Sequence, residues 1–144
     1  MSVMETVIKP SLVTEIPPAD SAAALAHFSA ALRFETDCWD VHAALTTRTA
    51  DFVLLDVRSP EAFARAHVDG ATNVPHRKIV AGYMNARWPQ DTVFVVHCAG
   101  PHCNGAHRAA IRLAGLNRPV KIMIGGITGW LDEGFSLVAG PGAA

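Results

Sequence analysis

The chain has 144 residues, half of them hydrophobic, with a net charge of −1 and a pI near 6.6. That length and composition suit one globular domain with its own core, and the near-neutral charge supplies no field that would draw in nucleic acid or an acidic membrane surface. Three cysteines, an odd number, form no closed disulfide framework, which fits a reducing compartment and a cytoplasmic protein. The first twenty residues hold two glutamates and one lysine with no unbroken apolar run, unlike a secretory leader. No stretch reaches the roughly 18 uninterrupted apolar residues a bilayer span requires.

Residues 1–18 contain three prolines and read as an extended arm. Asp20 or Ser21 then caps a helix through the Ala- and Leu-rich run ending at Phe34. A second helix starts at Asp37, with Cys38, Val41, Ala44 and Leu45 on its core face and His42 and Arg48 mainly on the other. The run Phe52–Leu55, ending in Asp56, suits a strand buried on both faces. Ser59-Pro60-Glu61 is a helix start: the hydroxyl caps, proline fits the first helical position, and the carboxylate complements the positive helix end. That helix runs over 60–66.

A brief strand follows at Thr72–Val74, then a helix over Ile79–Arg87 and a turn at Trp88-Pro89-Gln90-Asp91. Thr92–His97 is a second buried strand. Gly105–Leu116 is a helix with Ala106, Ala110 and Leu113 inward and Arg108 and Arg112 outward. A further strand covers Pro119–Ile124, and Gly125-Gly126 opens a last helix through Trp130, stopped by Gly134. Strands alternating with helices give an α/β layer structure with a parallel sheet.

The chemistry concentrates where the strand ending at His97 runs into the helix starting at Gly105. Ligand crevices of open α/β sheets lie beyond such carboxyl ends. The loop Ala99, Gly100, Pro101, His102, Cys103, Asn104 and Gly105 can aim several backbone N–H groups at one centre, a nest for an anion at a helix start. Pro101 has no N–H to give. A thiolate on Cys98 is stabilised there, with His102, His107 and Arg108 adding local positive charge, so Cys98 is the candidate nucleophile. Cys103 is a loop filler, a resolving thiol, a second sulfur carrier or the nucleophile itself. Cys38, on an apolar helix face, is a core thiol. A zinc site is disfavoured: the Cys98–Cys103 spacing fits a ligand pair, but the second pair is missing and His97 points away from Cys98 along the strand.

The span from about Phe52 to Trp130 resembles the rhodanese-homology domain. The markers come in order: LLDVRSPEAF with His67, then Gly70-Ala71-Thr72-Asn73-Val74-Pro75, then VVHC placing Cys98 at the family's active-site cysteine, then Gly125-Gly126-Ile127-Thr128-Gly129-Trp130 before the last helix. Ala66 and Val68-Asp69 depart from the usual residues around His67. Counted back from Ala109-Ala110, Cys98 lies farther upstream than in the commonest single-domain members, and Cys-x-Gly-Pro-x-Cys looks like a longer loop variant. A longer loop makes a wider pocket, so the donor need not be thiosulfate.

The resemblance implies a three-layer fold with about five parallel strands flanked by helices. It divides the chain into an arm and helix at 1–34, one rhodanese-like domain at 35–138 and a short tail at 139–144. It also implies a sulfurtransferase working through a Cys98 persulfide, without cofactor or metal. The donor would be a small sulfur-containing anion or a persulfide, and the acceptor cyanide or a thiol such as glutathione or a thioredoxin-like protein. Asp56 and Arg58 belong to the motif as a pair bracing the strand end. His67 and Asn73 are turn and packing residues, and Trp130 packs on the sheet.

Two other classes stand beside this one. The first is a redox-sensing or sulfur-binding module in which Cys98 and Cys103 form a reversible disulfide. The second is a phosphatase or arsenate reductase, which calls for an arginine closing the loop; the first one downstream, Arg108, falls inside the helix. Neither nucleic acid nor membrane is an expected partner, and residues 1–34 are the expected place for a contact between subunits.

Overall fold

The computed structural model describes residues 9–142, and the chain separates into two compact units with the break between Ala31 and Leu32. In the first unit the arm is exposed, with a turn closed by Thr14 N–H and Glu15 N–H onto Ser11 O. The start of the arm lies outside the described residues. Helix α1, Ser21–Phe34, begins where Asp20 Oδ1 accepts from Ala23 N–H at 2.8 Å. Its Leu25 and Phe28 are exposed, and no residue of the helix is buried.

The second unit holds a five-stranded, all-parallel sheet in the order β1-β5-β4-β2-β3. The strands are β1 (Glu35–Thr36), β2 (Val53–Asp56), β3 (Thr72–Asn73), β4 (Phe94–His97) and β5 (Val120–Met123). The central strands β2 and β4 alternate their side chains between two apolar layers. Leu55, Phe94 and Val96 pack with Ile79, Met84 and with Ala106, Ala109 and Leu113 of α5 (Gly105–Gly115). On the opposite face Leu54, Val95 and Met123 pack with Cys38 and Val41 of α2 (Cys38–Thr46) and Trp130 of α6 (Gly126–Asp132). Burying both faces explains why β2 and β4 are nearly continuous apolar runs.

Local chemistry sets the element ends as expected at several places. Asp37 caps α2 by accepting from Asp40 N–H, and Ser59 caps α3, Pro60–Arg65, by accepting from Ala62 N–H with proline in the first turn. Gly134 at φ 82° closes α6, its N–H donating to Leu131 O and that of Phe135 to Trp130 O.

Other expectations are corrected. The helix over 79–87 is instead a 3-10 turn at His76–Lys78 followed by the short α4, Ala81–Asn85. Ile79 is buried in the core and Val80 is extended at φ −133°, so a helix cannot run through them. In α5 the inward alanines are Ala106 and Ala109, with Ala110 only half-buried. His42 does not face water freely; it is half-buried, with its ring stacked on Phe135 at 3.7 Å. At the end of the domain Val138 and His67 exchange backbone hydrogen bonds, and just beyond it Gly140 N–H donates to Ala64 O.

Among the described residues, no helix is long and apolar enough to cross a membrane.

Candidate functional site

Strand β4 delivers Cys98 to the carboxyl edge of the sheet. Alternation puts Phe94, Val96 and Cys98 on the α5 side and His97 on the other, as the strand period requires. His97 is fully buried beside its cross-strand partner Asp56, with Nε2 3.9 Å from Oδ2. Burial pushes the His97 pKa down, against the smaller upward pull of Asp56, and holds the ring neutral. Its Nδ1 sits 3.1 Å from Cys98 O, and since a carbonyl only accepts, that nitrogen carries the proton.

Asp56 is satisfied mainly by Arg58, whose Nε and Nη2 both reach the carboxylate, the shorter contact being 2.7 Å. Arg58 Nη2 also donates to Ala66 O, and Asn73 Nδ2 donates to Asp56 O and Arg58 O. This network fixes the end of β2 and, through the Asp56/His97 register, the level at which β4 ends. Asp56 and Arg58 thus brace the sheet edge and do not reach the cleft beside Cys98. His67 has the packing role expected of it, buried with its ring on Phe63 and Nδ1 at 2.8 Å from Phe63 O.

The backbone around Cys98 is held from the α6 side. Cys98 O accepts from Ile127 N–H at 3.2 Å, and Ala99 O accepts from both Thr128 N–H and Thr128 Oγ1. Two glycines make this approach feasible. A Cβ at Gly126, where φ is 58°, would lie 2.5 Å from Cys98 O, and one at Gly100 would lie 2.6 Å from Thr128 Oγ1. The carbonyl of Ala99 therefore turns toward α6 rather than into a nest.

Cys98 and Cys103 are joined by a disulfide, with Cα atoms 6.4 Å apart. The loop between them turns back through Cys103 N–H donating to Gly100 O at 3.1 Å. Gly105 N–H points at Cys103 Sγ, 3.4 Å away, and a Cβ at Gly105 would lie 2.8 Å from Cys98 Sγ. Glycine at the start of α5 therefore lets both sulfurs sit against the helix N-terminus, where partial positive charge favours an anion. Asn104 does not cap α5 with its side chain; its Oδ1 accepts from Arg108 Nε instead.

These groups border a cleft of about 380 Å³ that is lined by Cys98, Gly100, Pro101, His102, Cys103, Asn104, Ala106 and His107 on one side and Ile122–Gly126 on the other. His102 and His107 are exposed at its rim. Arg108 does not line the cleft, nor does any other arginine or lysine among the described residues. The β5–α6 wall was not assigned to the site from sequence, although Gly125-Gly126 marked its turn. No group of three or more histidine, cysteine or acidic side chains is gathered for a metal among the described residues.

Residues 40–133 match the family model for the rhodanese-like domain. The chain belongs to that family. The BH2092 protein of Bacillus halodurans has a similar structure, with 31% identity, 82% of this chain and 85% of that one covered, and a TM-score of 0.77. A thiosulfate sulfurtransferase of Pseudomonas aeruginosa aligns with a TM-score of 0.63 at 26% identity, over 81% of this chain and 21% of that one. In sequence, this rhodanese-like domain is 35% identical over 80 residues to the probable adenylyltransferase/sulfurtransferase MoeZ of Mycobacterium tuberculosis, covering 56% of this chain and only 20% of that protein. The thiosulfate sulfurtransferase GlpE of Pseudomonas entomophila is 32% identical over 72 residues, half of this chain and 62% of that one.

Proposed function

We propose that this rhodanese-like domain is a sulfurtransferase that carries sulfane sulfur on Cys98 once the Cys98–Cys103 disulfide is reduced. The observation that carries the reading is the placement of Cys98 Sγ: at the end of β4, in the wall of the cleft, against the start of α5. The sulfurtransferase names of distant relatives agree with it.

In the first step the Cys98 thiolate attacks the outer sulfur of a donor such as thiosulfate. The new bond is Sγ–S, and sulfite leaves with the electron pair of the broken S–S bond. In the second step cyanide or an external thiolate, such as glutathione or a thioredoxin-like protein, attacks the outer sulfur and returns Cys98 as thiolate. Both steps pass through anionic sulfur, which the first-turn N–H groups of α5 stabilise. The cleft lining holds no carboxylate to oppose this charge.

The test is thiocyanate formation by the pre-reduced protein in thiosulfate and cyanide. Cys98→Ser is expected to lower the rate by about a thousandfold or more, the scale of losing a nucleophile. Turnover that survives in Cys98→Ser contradicts the assignment.

The observed Cys98–Cys103 bond favours a second reading, a reversible dithiol sensor. A protein that loses two thiols in mild peroxide but releases no sulfite from thiosulfate would support the sensor over the transferase.

A further inference from the structure

The disulfide adds a chemical constraint that simple sulfur relay does not use. Cys103 Sγ is bonded to the very atom, Cys98 Sγ, that would be the inner sulfur of a Cys98 persulfide. The fold holds that bond with Cys98 O accepting from Ile127 N–H, the loop closing through Cys103 N–H and Gly100 O, and Gly105 leaving room for both sulfurs. Cys98 is buried to 7% exposure and anchored on the strand, whereas Cys103 is half-buried on the loop side of the cleft. The two thiols are thus a fixed carrier and a second nucleophile delivered by a short turn.

We infer that Cys103 resolves the Cys98 persulfide from within the chain, releasing hydrosulfide and leaving the Cys98–Cys103 disulfide for an external dithiol to reduce. This deepens the sulfurtransferase reading and rests on it. Sulfur uptake proceeds as above, with sulfite leaving. The Cys103 thiolate then attacks Cys98 Sγ; the Sγ–Sγ bond forms, the bond from Cys98 Sγ to the outer sulfur breaks, and that sulfur departs with the electron pair as HS⁻. The two cysteine thiols are oxidised by two electrons and the sulfane sulfur is reduced by two. Of their two protons, one leaves on HS⁻ and the other enters solvent. A small dithiol or a dithiol protein then reduces the disulfide by two exchanges, and its own thiols become the disulfide product.

Proximity sets which route prevails. A thiol tethered by a short loop acts at an effective concentration on the order of millimolar or above, so an external monothiol must compete with a partner already in reach. The product in a dithiol-containing medium is then hydrosulfide, and the site behaves as a dithiol-dependent reductase of sulfane sulfur.

The experiment is a single turnover without oxygen. The pre-reduced, desalted 144-residue chain receives one equivalent of thiosulfate and no acceptor, and sulfite, hydrosulfide and intact mass are followed together. Wild type is expected to give hydrosulfide equal to sulfite and to end as a linked Cys98–Cys103 peptide with no added sulfur. In Cys103→Ser, and in Cys103→Ala as a second variant, the hydrosulfide-to-sulfite ratio should fall by about tenfold or more while the mass gains one sulfur. A wild type that forms sulfite, keeps the extra sulfur and releases no more hydrosulfide than the variants overturns the inference. If wild type forms no sulfite, the sulfurtransferase reading itself fails and this inference falls with it.

Discussion

Cys98 and Cys38 lie on opposite sides of the same turn, Gly125–Gly129, and their surroundings are opposed. A Cβ at Gly126 would strike Cys98 O, while Cβ atoms at Gly125 and Gly129 would come to 3.6 and 3.3 Å from Cys38 Sγ. Both thiols are near the start of a helix, a place that usually favours thiolate. Cys38, however, is sealed in the core and donates to Ile124 O and Gly126 O. Burial, then the nearby charges of Asp37 and Glu133, raise its pKa from 9.0 to about 11. The Cys98 cleft is open and lined by no carboxylate. Position at a helix N-terminus does not make a reactive cysteine; a bordering cleft and the sign of the neighbouring charges decide.

Exchange of the two residues should break the comparison most sharply. Cys98→Ser is expected to remove thiocyanate formation, whereas Cys38→Ala should keep the activity and cost about 1–2 kcal/mol of stability from the lost packing, read by urea denaturation. An activity loss in the folded Cys38→Ala protein as deep as that of Cys98→Ser would erase the distinction.

Gly126→Ala should be the next largest effect, since it touches the shared turn. A left-handed φ of 58° and a Cβ 2.5 Å from Cys98 O require the α6 start to move, for about 1–3 kcal/mol of destabilisation. The same shift should lower the sulfite yield, because it displaces the backbone that holds Cys98. Gly115→Ala, which meets nothing within 4 Å, is the control at an unconstrained glycine.

How far the sequence carried is visible in the same elements. Strands β2 and β4 were legible because burial demands apolar runs there, β5 from a shorter and mostly half-buried run, and the caps at Asp37 and Ser59 were legible because their chemistry is local. Strand β1 was missed: Glu35–Thr36 is two polar residues paired to β5 alone, with no period to detect. The break at Ile79–Val80 depends on a core contact that local propensity does not encode. Cys98 and Cys103 were both placed in the loop from sequence. Their disulfide was one of the alternatives the sequence offered; choosing it depended on the turn at Gly100 and on both sulfurs meeting at Gly105, which are tertiary facts.

Alkylation sharpens the contrast at smaller scale. In the reduced folded protein at neutral pH, Cys98 should react with iodoacetamide well before Cys38, and Cys38 should react only when the chain is unfolded. Equal labelling rates in the folded state would contradict the two environments.

The smallest effect is alkaline. Because folding raises the Cys38 pKa from 9.0 to about 11, the folded state favours the protonated thiol. Its contribution to stability is complete below pH 9 and is lost as pH rises from there towards 11. The difference in Tm between wild type and Cys38→Ala should therefore narrow over that interval, and a constant difference would show that the raised pKa has no energetic weight.

The most direct measurement is the location of the incoming sulfur. Reduced Cys103→Ser protein, mixed with thiosulfate and trapped at once with an alkylating agent, is expected to yield a peptide carrying one extra sulfur at Cys98 and an unmodified Cys38. Extra sulfur on Cys38, or sulfite release with no sulfur on Cys98, would contradict the assignment of Cys98 as the carrier.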